Sequence, residues 1–70
     1  MNERKDAGEP NGSIMTVHDI AAYLRLSEAK VYKLAKEGHL PALRVGKSWR
    51  FRKDLIDEWI RRETEQALHV

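Results

Sequence analysis

The sequence has 70 residues, with 13 lysines and arginines, 11 aspartates and glutamates, and a formal net charge of +2. A chain of this length forms one domain near the lower size limit for independent folding, with little room for a catalytic cavity. It contains no cysteine, which excludes disulfides and thiolate metal sites, and it shows neither a membrane-spanning apolar run nor a signal-peptide pattern, so we expect a cytoplasmic protein.

Residues 1–13 are polar, and Gly8, Pro10 and Gly12 interrupt any periodic pattern. Such a segment cannot bury enough apolar surface to fold, so we predict a disordered N-terminal tail. Because its charges are mixed, the tail offers no basic arm, and we assign it no binding role.

A first helix is predicted over residues 17–24. Thr16, followed three residues later by Asp19, resembles a capping box in which aspartate replaces the usual glutamate or glutamine. Apolar side chains then recur at i, i+3, i+4 and i+7, which predicts one buried stripe. The stripe consists of Val17, Ile20, Ala21 and Leu24. His18 lies off this stripe, and we predict a solvated surface residue there.

A second helix follows after a short connection. Ser27 suits its N-cap, because the serine oxygen can accept from a free backbone N–H of the first turn. Gly38 suits the left-handed residue after the helix, and Pro41 prevents continuation. Val31, Leu34 and Ala35 form an apolar side, whereas Lys30, Lys33 and Lys36 share much of another side. Two short helices joined so tightly form a helix-turn-helix.

After Pro41 the hydrophobic period changes from 3.6 to 2. Leu43, Val45, Trp49 and Phe51 alternate with Arg44, Arg50 and Arg52 around a tip formed by residues 46–48. We predict a β-hairpin whose apolar face packs on the helices while the three arginines share the other face. Such a hairpin beside a helix-turn-helix is a wing, which contacts phosphates or the minor groove. The alternative is that the arginines only protect exposed sheet edges against aggregation.

A third helix is predicted to start at Asp54, with acidic residues in its first turns, where the helix dipole favours them. Its buried stripe is predicted to contain Leu55, Ile56, Trp59 and Ile60. Beyond Arg62 the stripe fades, and we expect residues 63–70 to fray. The sequence therefore predicts a mainly α fold with a small β-hairpin, a winged helix-turn-helix, over residues 14–62.

The positive charge is concentrated in the middle of the chain. Residues 25–53 carry nine lysines and arginines against two glutamates, whereas residues 54–70 have an excess of acids. The commonest partner of such a basic region is a phosphate backbone. The three histidines are far apart, and no metalloprotease, phosphate-loop or nucleophile motif is present. We therefore expect no enzymatic activity, no cofactor and no metal.

The residues match a known family pattern. The matching positions are Thr16 to Leu24, Ser27 to Tyr32, Gly38, Leu40-Pro41-Ala42, Val45-Gly46, Trp49-Arg50-Phe51, Leu55 and Trp59. Over about residues 14–62 this pattern resembles the excisionase-type DNA-binding domains, small winged helix-turn-helix modules related to the MerR family. Full MerR regulators continue into a dimerising helix and an effector domain, whereas this sequence stops at Val70. Since it also lacks cysteine, we do not carry metal sensing over.

The resemblance implies a non-enzymatic DNA-binding protein, either a recombination directionality factor or a small transcription regulator. For such a protein we expect a cytoplasmic location, associated with the nucleoid. It implies that Ser27, Glu28, Lys30 and Lys33 face the major groove from the second helix, while the wing around Gly46, Lys47 and Arg50 approaches the backbone or minor groove. From their charge, we expect a further set of side chains to neutralise phosphates: Lys36, Arg44, Lys47, Arg50 and Arg52.

The expected partner is double-stranded DNA. A module this small buries only roughly 600–1,000 Å² on DNA, so we also expect an integrase or recombinase, or further copies of the chain on adjacent sites. The alternative function is an adaptor that docks an acidic protein partner through the same basic face.

A further expectation concerns the backbone conformation of the turn between the first two helices. Related turns often hold a glycine where this chain has Arg25. If the position requires a positive φ, arginine there is strained by about 1 kcal/mol, and Arg25→Gly would be neutral or stabilising.

Overall fold

The computed structural model of the chain describes residues 13–68. It contains three helices, α1 (Val17–Leu24), α2 (Glu28–Lys36) and α3 (Lys53–Leu68), and three strands, β1 (Ile14–Met15), β2 (Leu43–Val45) and β3 (Ser48–Arg52). The strands form an antiparallel sheet in the order β1-β3-β2. This architecture confirms the predicted, mainly helical winged helix-turn-helix. Strand β1, which pairs with β3 and extends the hairpin to three strands, was not predicted.

The ends of the first two helices are stabilised by local side-chain bonds. Thr16 Oγ1 accepts from the N–H of Asp19 at 3.1 Å, and the N–H of Thr16 donates to an Asp19 carboxylate oxygen at 3.0 Å. Ser27 Oγ accepts from the N–H of Lys30 at 3.1 Å. Gly38, beyond the end of α2, has a φ of 81°. Because these partners satisfy backbone groups that the helices leave free, the predicted boundaries are confirmed.

Arg25 takes the left-handed conformation in the turn after α1, with φ 60° and ψ 45°. Its N–H donates to the carbonyl of Ala22 at 3.3 Å, and the N–H of Leu26 donates to the carbonyl of Ala21 at 2.9 Å. These two bonds form a Schellman motif, the helix ending that glycine usually supplies. Among residues 13–68, Arg25 is the only non-glycine residue with a positive φ. The expected strain at this position is therefore present.

The hydrophobic core lies where α1, α2 and the start of α3 meet the sheet. Its buried side chains are Val17, Ile20, Ala21, Val31, Ala35, Leu40, Phe51 and Ile56. Trp49, Trp59 and Ile60 are partly buried against it. The predicted stripe of α3 is wrong at Leu55, which is 44% exposed. The core nevertheless holds the two helices of the helix-turn-helix against the sheet, because both contribute fully buried side chains.

The turn of the hairpin is one residue shorter than predicted. It consists of Gly46 and Lys47, and Ser48 is already the first residue of β3. Gly46 has a φ of 61°, as expected for a glycine at the first position of a type II′ turn. Val45 is therefore paired with Ser48 instead of Trp49.

This change of register moves the side chains of β2 to the opposite face. Arg44 pairs with Trp49 and Leu43 pairs with Arg50, and directly paired residues share a face of the sheet. Arg44 thus lies on the core-facing side, whereas Leu43 and Val45 lie on the outer side with 56% and 54% exposure. The prediction of an apolar face opposite three arginines is wrong, because a slip of one residue reverses every side chain of a strand.

Helix α3 continues past Arg62 to Leu68. Arg61 forms ion pairs with Glu58 and Glu65, at spacings that support an exposed helix. Residues 63–68 are therefore helical and their fraying stays a prediction, whereas residues 69–70, also predicted to fray, lie outside the described residues. The predicted N-terminal tail lies outside the described residues except for Ser13, whose carbonyl accepts from the N–H of Lys53 at 2.9 Å. No helix within residues 13–68 is long and apolar enough to cross a membrane.

Candidate nucleic-acid interface

Helix α2 presents most of the residues that the sequence predicts to contact bases. Its buried side is formed by Val31 and Ala35. The predicted contact residues Ser27, Glu28, Lys30, Lys33 and Lys36 are all exposed. Because the apolar side is held in the core, the basic side of the helix is directed outward. The exposed side thus offers long cationic side chains to a partner.

A cleft of about 250 Å³ separates the start of α2 from the wing. Its lining comes from three parts of the chain: Thr16 and His18 at the start of α1, Glu28 and Tyr32 on α2, and Lys47 and Arg50 on the wing. The fold therefore brings Glu28, Lys47 and Arg50 together, although they are up to 22 positions apart in the sequence. Lys30, Lys33 and Lys36 lie outside this cleft on the exposed side of α2.

Arg50 is a cation of the cleft that is bonded to the backbone of its own strand. Its Nη1 donates to the backbone carbonyl of Trp49 at 2.7 Å, in a partly buried position. A guanidinium group has five N–H donors, so this bond uses only one of them. Lys47, by contrast, lies in the exposed turn after Gly46. The wing thus combines one anchored cation and one freely projecting cation.

The other two arginines of the hairpin are engaged within the chain. The guanidinium carbon of Arg44 lies 4.8 Å from the centroid of the Trp49 ring. Arg52 Nη2 donates to Asp54 Oδ2 at 2.7 Å, so its charge is partly compensated. The three arginines that were predicted to act together therefore have three different environments.

His18 is a constituent of the site that the sequence did not indicate. Its Nδ1 lies 2.8 Å from Glu28 Oε2, and the hydrogen bond and negative charge of Glu28 raise the pKa of His18 above its ordinary value of 6.5. The side chain is 81% exposed, as predicted, but it is not only solvated. No periodicity links the two residues, because they lie on different helices. Tyr32 could have been identified from the sequence as a neighbour of Glu28, since it follows Glu28 at the i+4 spacing that places two side chains on one helix flank.

The chemistry of this surface suits an anionic partner. The cleft has two permanent cations, Lys47 and Arg50, and one carboxylate, Glu28, among the described residues that line it. The exposed lysines of α2 extend the positive charge beyond the cleft. Within residues 13–68, no group of three histidine, aspartate or glutamate side chains is placed to hold a metal ion.

Comparison with known proteins agrees with this geometry. The sequence model of a family described as "Helix-turn-helix domain" matches residues 14–64. Two curated proteins from Mycobacterium tuberculosis, strains CDC 1551 and H37Rv, are each 38% identical to the chain over 47 residues. Both are provisionally named as DNA-binding proteins.

These alignments cover 67% of this chain and 60% of each relative, so the match spans less than two thirds of the curated proteins. No solved structure matches the chain at a significant level. The family match includes both short helices, the wing and most of α3. On this evidence, the chain belongs to the helix-turn-helix domain family.

Proposed function

We propose that the chain binds double-stranded DNA with sequence preference, as an excisionase-like protein, with α2 in the major groove and the wing on the backbone or minor groove. One observation carries this proposal: the start of α2 and the cations Lys47 and Arg50 border the same open cleft. A duplex lying against α2 would therefore bring its phosphates to the wing. The family membership and the names of the two relatives support DNA as the partner.

The proposed base contacts come from the N-terminal half of α2. Lysine side chains prefer guanine O6 and N7, which suits Lys30 and Lys33, whereas a carboxylate can accept from cytosine N4, which suits Glu28. Ser27 Oγ already accepts a backbone bond as the N-cap, but its hydroxyl proton remains available for donation. These four residues would provide the sequence preference.

The proposed phosphate contacts divide into two groups. Lys36, Lys47 and Arg50 would reach the backbone from α2 and the wing. Arg44 and Arg52 are occupied by Trp49 and Asp54, so we propose that they contribute long-range positive charge while keeping these partners. Phosphate contacts position a protein on DNA without reading its sequence, which is the role assigned to all five.

We propose that residues 14–62 form the DNA-binding unit and that the chain has no enzymatic activity. Since one small module buries limited area on DNA, useful specificity would require an integrase or recombinase partner, or additional copies on adjacent sites. The cellular role would then be recombination directionality or transcription regulation.

Selection of binding sites from a random duplex pool, at about 150 mM salt where non-specific attraction is weakened, tests this proposal. We expect an enriched motif, with repeated half-sites if copies bind side by side. The variant Lys30→Ala/Lys33→Ala should lose the enrichment, and the control Arg61→Ala/Arg62→Ala, with the same change of charge on α3, should retain it. No enrichment, with binding that disappears as salt rises, would contradict the proposal and favour the adaptor for an acidic protein partner.

A further inference from the structure

His18 joins the two helices of the helix-turn-helix at the edge of the cleft. It belongs to α1, but its Nδ1 lies 2.8 Å from Glu28 Oε2 on the first residue of α2. Both side chains line the cleft that faces Lys47 and Arg50 of the wing. The pair is therefore part of the surface against which a duplex would lie, although α1 contributes no contact to the proposed function.

We infer that His18 is a positioning residue of the DNA-contacting surface: it holds the Glu28 carboxylate at the edge of the cleft, and its protonation compensates that negative charge, so that affinity for a duplex rises as the pH falls. This inference rests on the proposed function and adds to it one residue, His18, and a dependence of the affinity on pH. The hydrogen bond fixes the direction of Glu28, and the charge of the imidazole decides how strongly Glu28 repels phosphates.

The charges around His18 determine the direction of the effect. Asp19 lies on its own helix, Glu28 and the Tyr32 hydroxyl group are supplied by α2, and Lys47 and Arg50 are supplied by the wing. Glu28 is the one carboxylate among the described residues lining the cleft. Asp19 does not line the cleft, so with neutral His18 two cations of the cleft face one anion. With protonated His18, three cations of the cleft face this anion, and the phosphodiester backbone of a duplex binds the protonated arrangement more tightly.

The His18–Glu28 pair determines the pH range over which the affinity changes. The hydrogen bond and the charge of Glu28 raise the pKa of His18 above 6.5, which places the transition at a higher pH than that of a free histidine. Replacing Glu28 with glutamine removes the negative charge, so the transition should move down toward 6.5. If the role of His18 were purely structural, the affinity for a duplex would not follow its protonation, and Glu28→Gln would not shift the midpoint.

Titration of one mixed-sequence duplex by fluorescence anisotropy, from about pH 6 to about pH 8 at a constant salt concentration, provides the test. We expect the natural chain to bind about five-fold more tightly at the lower pH, the effect of one unit charge at about 4 Å in water. His18→Gln should bind at every pH without this change. His39→Gln is the matched control: His39 lies beyond the other end of α2, with Nε2 3.7 Å from Glu37, and its loss should leave the pH dependence intact.

The outcomes are distinct. An unchanged pH profile in His18→Gln would overturn the inference and leave DNA binding in place. An unmoved midpoint in Glu28→Gln would likewise overturn it, because the pair would not control the transition. Absence of duplex binding by the natural chain at any pH would overturn the proposed function and this inference with it. Circular dichroism of each variant verifies folding, which we expect to persist because the His18 side chain is 81% exposed.

Discussion

The guanidinium group of Arg44 covers the ring of Trp49, with 4.8 Å between its central carbon and the ring centroid. The two residues are direct partners across β2 and β3. A cation over an aromatic face at this distance contributes about 0.5–1 kcal/mol at an exposed site. Arg44 therefore stabilises the wing, whereas Arg50, on the other face of the sheet, lines the cleft.

We expect Arg44→Ala to lower the free energy of unfolding by about 0.5–1 kcal/mol, since it removes this stacked cation. Urea unfolding monitored by circular dichroism measures the change. Lys36→Ala, which removes an exposed cation from α2, is the control and should change the stability by less than about 0.5 kcal/mol. Equal stability of Arg44→Ala and the natural chain would show that the stacking contributes nothing.

The two faces of the sheet predict different costs of substitution. Leu43→Thr should cost less than about 0.5 kcal/mol, because Leu43 is 56% exposed on the outer face and threonine suits a strand. Phe51→Leu should cost about 1–3 kcal/mol, because Phe51 is only 1% exposed in the core. Thermal unfolding compares the two variants. A similar large loss for Leu43→Thr would instead support the hairpin with a three-residue tip.

Arg25→Gly should raise the free energy of unfolding by about 0.5–1 kcal/mol, because glycine adopts the left-handed conformation without the clash of a Cβ atom. For a domain of this size, that corresponds to an increase in melting temperature of about 2–8 °C. Arg25→Ala keeps the Cβ atom and should show no such gain. A clear decrease for Arg25→Gly would mean that Arg25 is not left-handed in solution.

Tyr23, Lys53 and Asp57 connect α1 to α3. The Tyr23 hydroxyl group donates to Asp57 Oδ1 at 2.5 Å, and Lys53 Nζ donates to Asp57 Oδ2 at 2.9 Å. These bonds, first that of Tyr23 and then that of Lys53, lower the pKa of Asp57 below its ordinary value of 3.8. Because the pKa is lower in the folded chain, the stabilisation is complete above 3.8 and is lost as the pH falls through the folded value.

We therefore expect Tyr23→Phe to destabilise the chain by about 0.5–1 kcal/mol at neutral pH, a small value because the Asp57 side chain is 39% exposed. Below 3.8 the difference from the natural chain should shrink, since Asp57 becomes protonated. Melting temperatures of the variant and of the natural chain, taken over this acidic range, measure the difference in stability. In the double variant Tyr23→Phe/Asp57→Ala, which removes the acceptor, the effect of Tyr23→Phe should largely disappear, and full additivity would argue against the bond.

Lys47→Ala should weaken binding to every duplex. It should also reduce the slope of log affinity against log salt concentration by about the amount expected for one phosphate contact. The reason is the position of Lys47 in the exposed turn at the cleft. Affinity measured over a series of salt concentrations gives the slope. Arg62→Ala, which removes a cation from α3, should leave the slope unchanged, and an equal reduction in both variants would indicate general charge attraction only.

The first two helices were predictable from sequence because their ends depend on neighbouring residues, whereas α3 extends six residues beyond its predicted end at Arg62. Thr16 and Ser27 cap the first two helices, and Gly38 follows the second in the left-handed conformation. Each cap bonds backbone groups only a few positions away, so a short stretch of sequence contains both partners. The expectation of strain at Arg25 came instead from the resemblance to related turns, which often hold glycine at this position.

Tertiary structure decided the register of the hairpin and which side chains line the cleft. Alternation within β2 is the same whether the turn contains two or three residues, but the length of the turn determines which face of the sheet Arg44 occupies. The bond between His18 and Glu28 forms only because α1 and α2 pack at the angle that the core imposes. The sequence by itself therefore determined α1 and α2 and their caps, which depend on local bonding. The tertiary structure decided which charged side chains share a surface, because packing brings together residues that no local period relates.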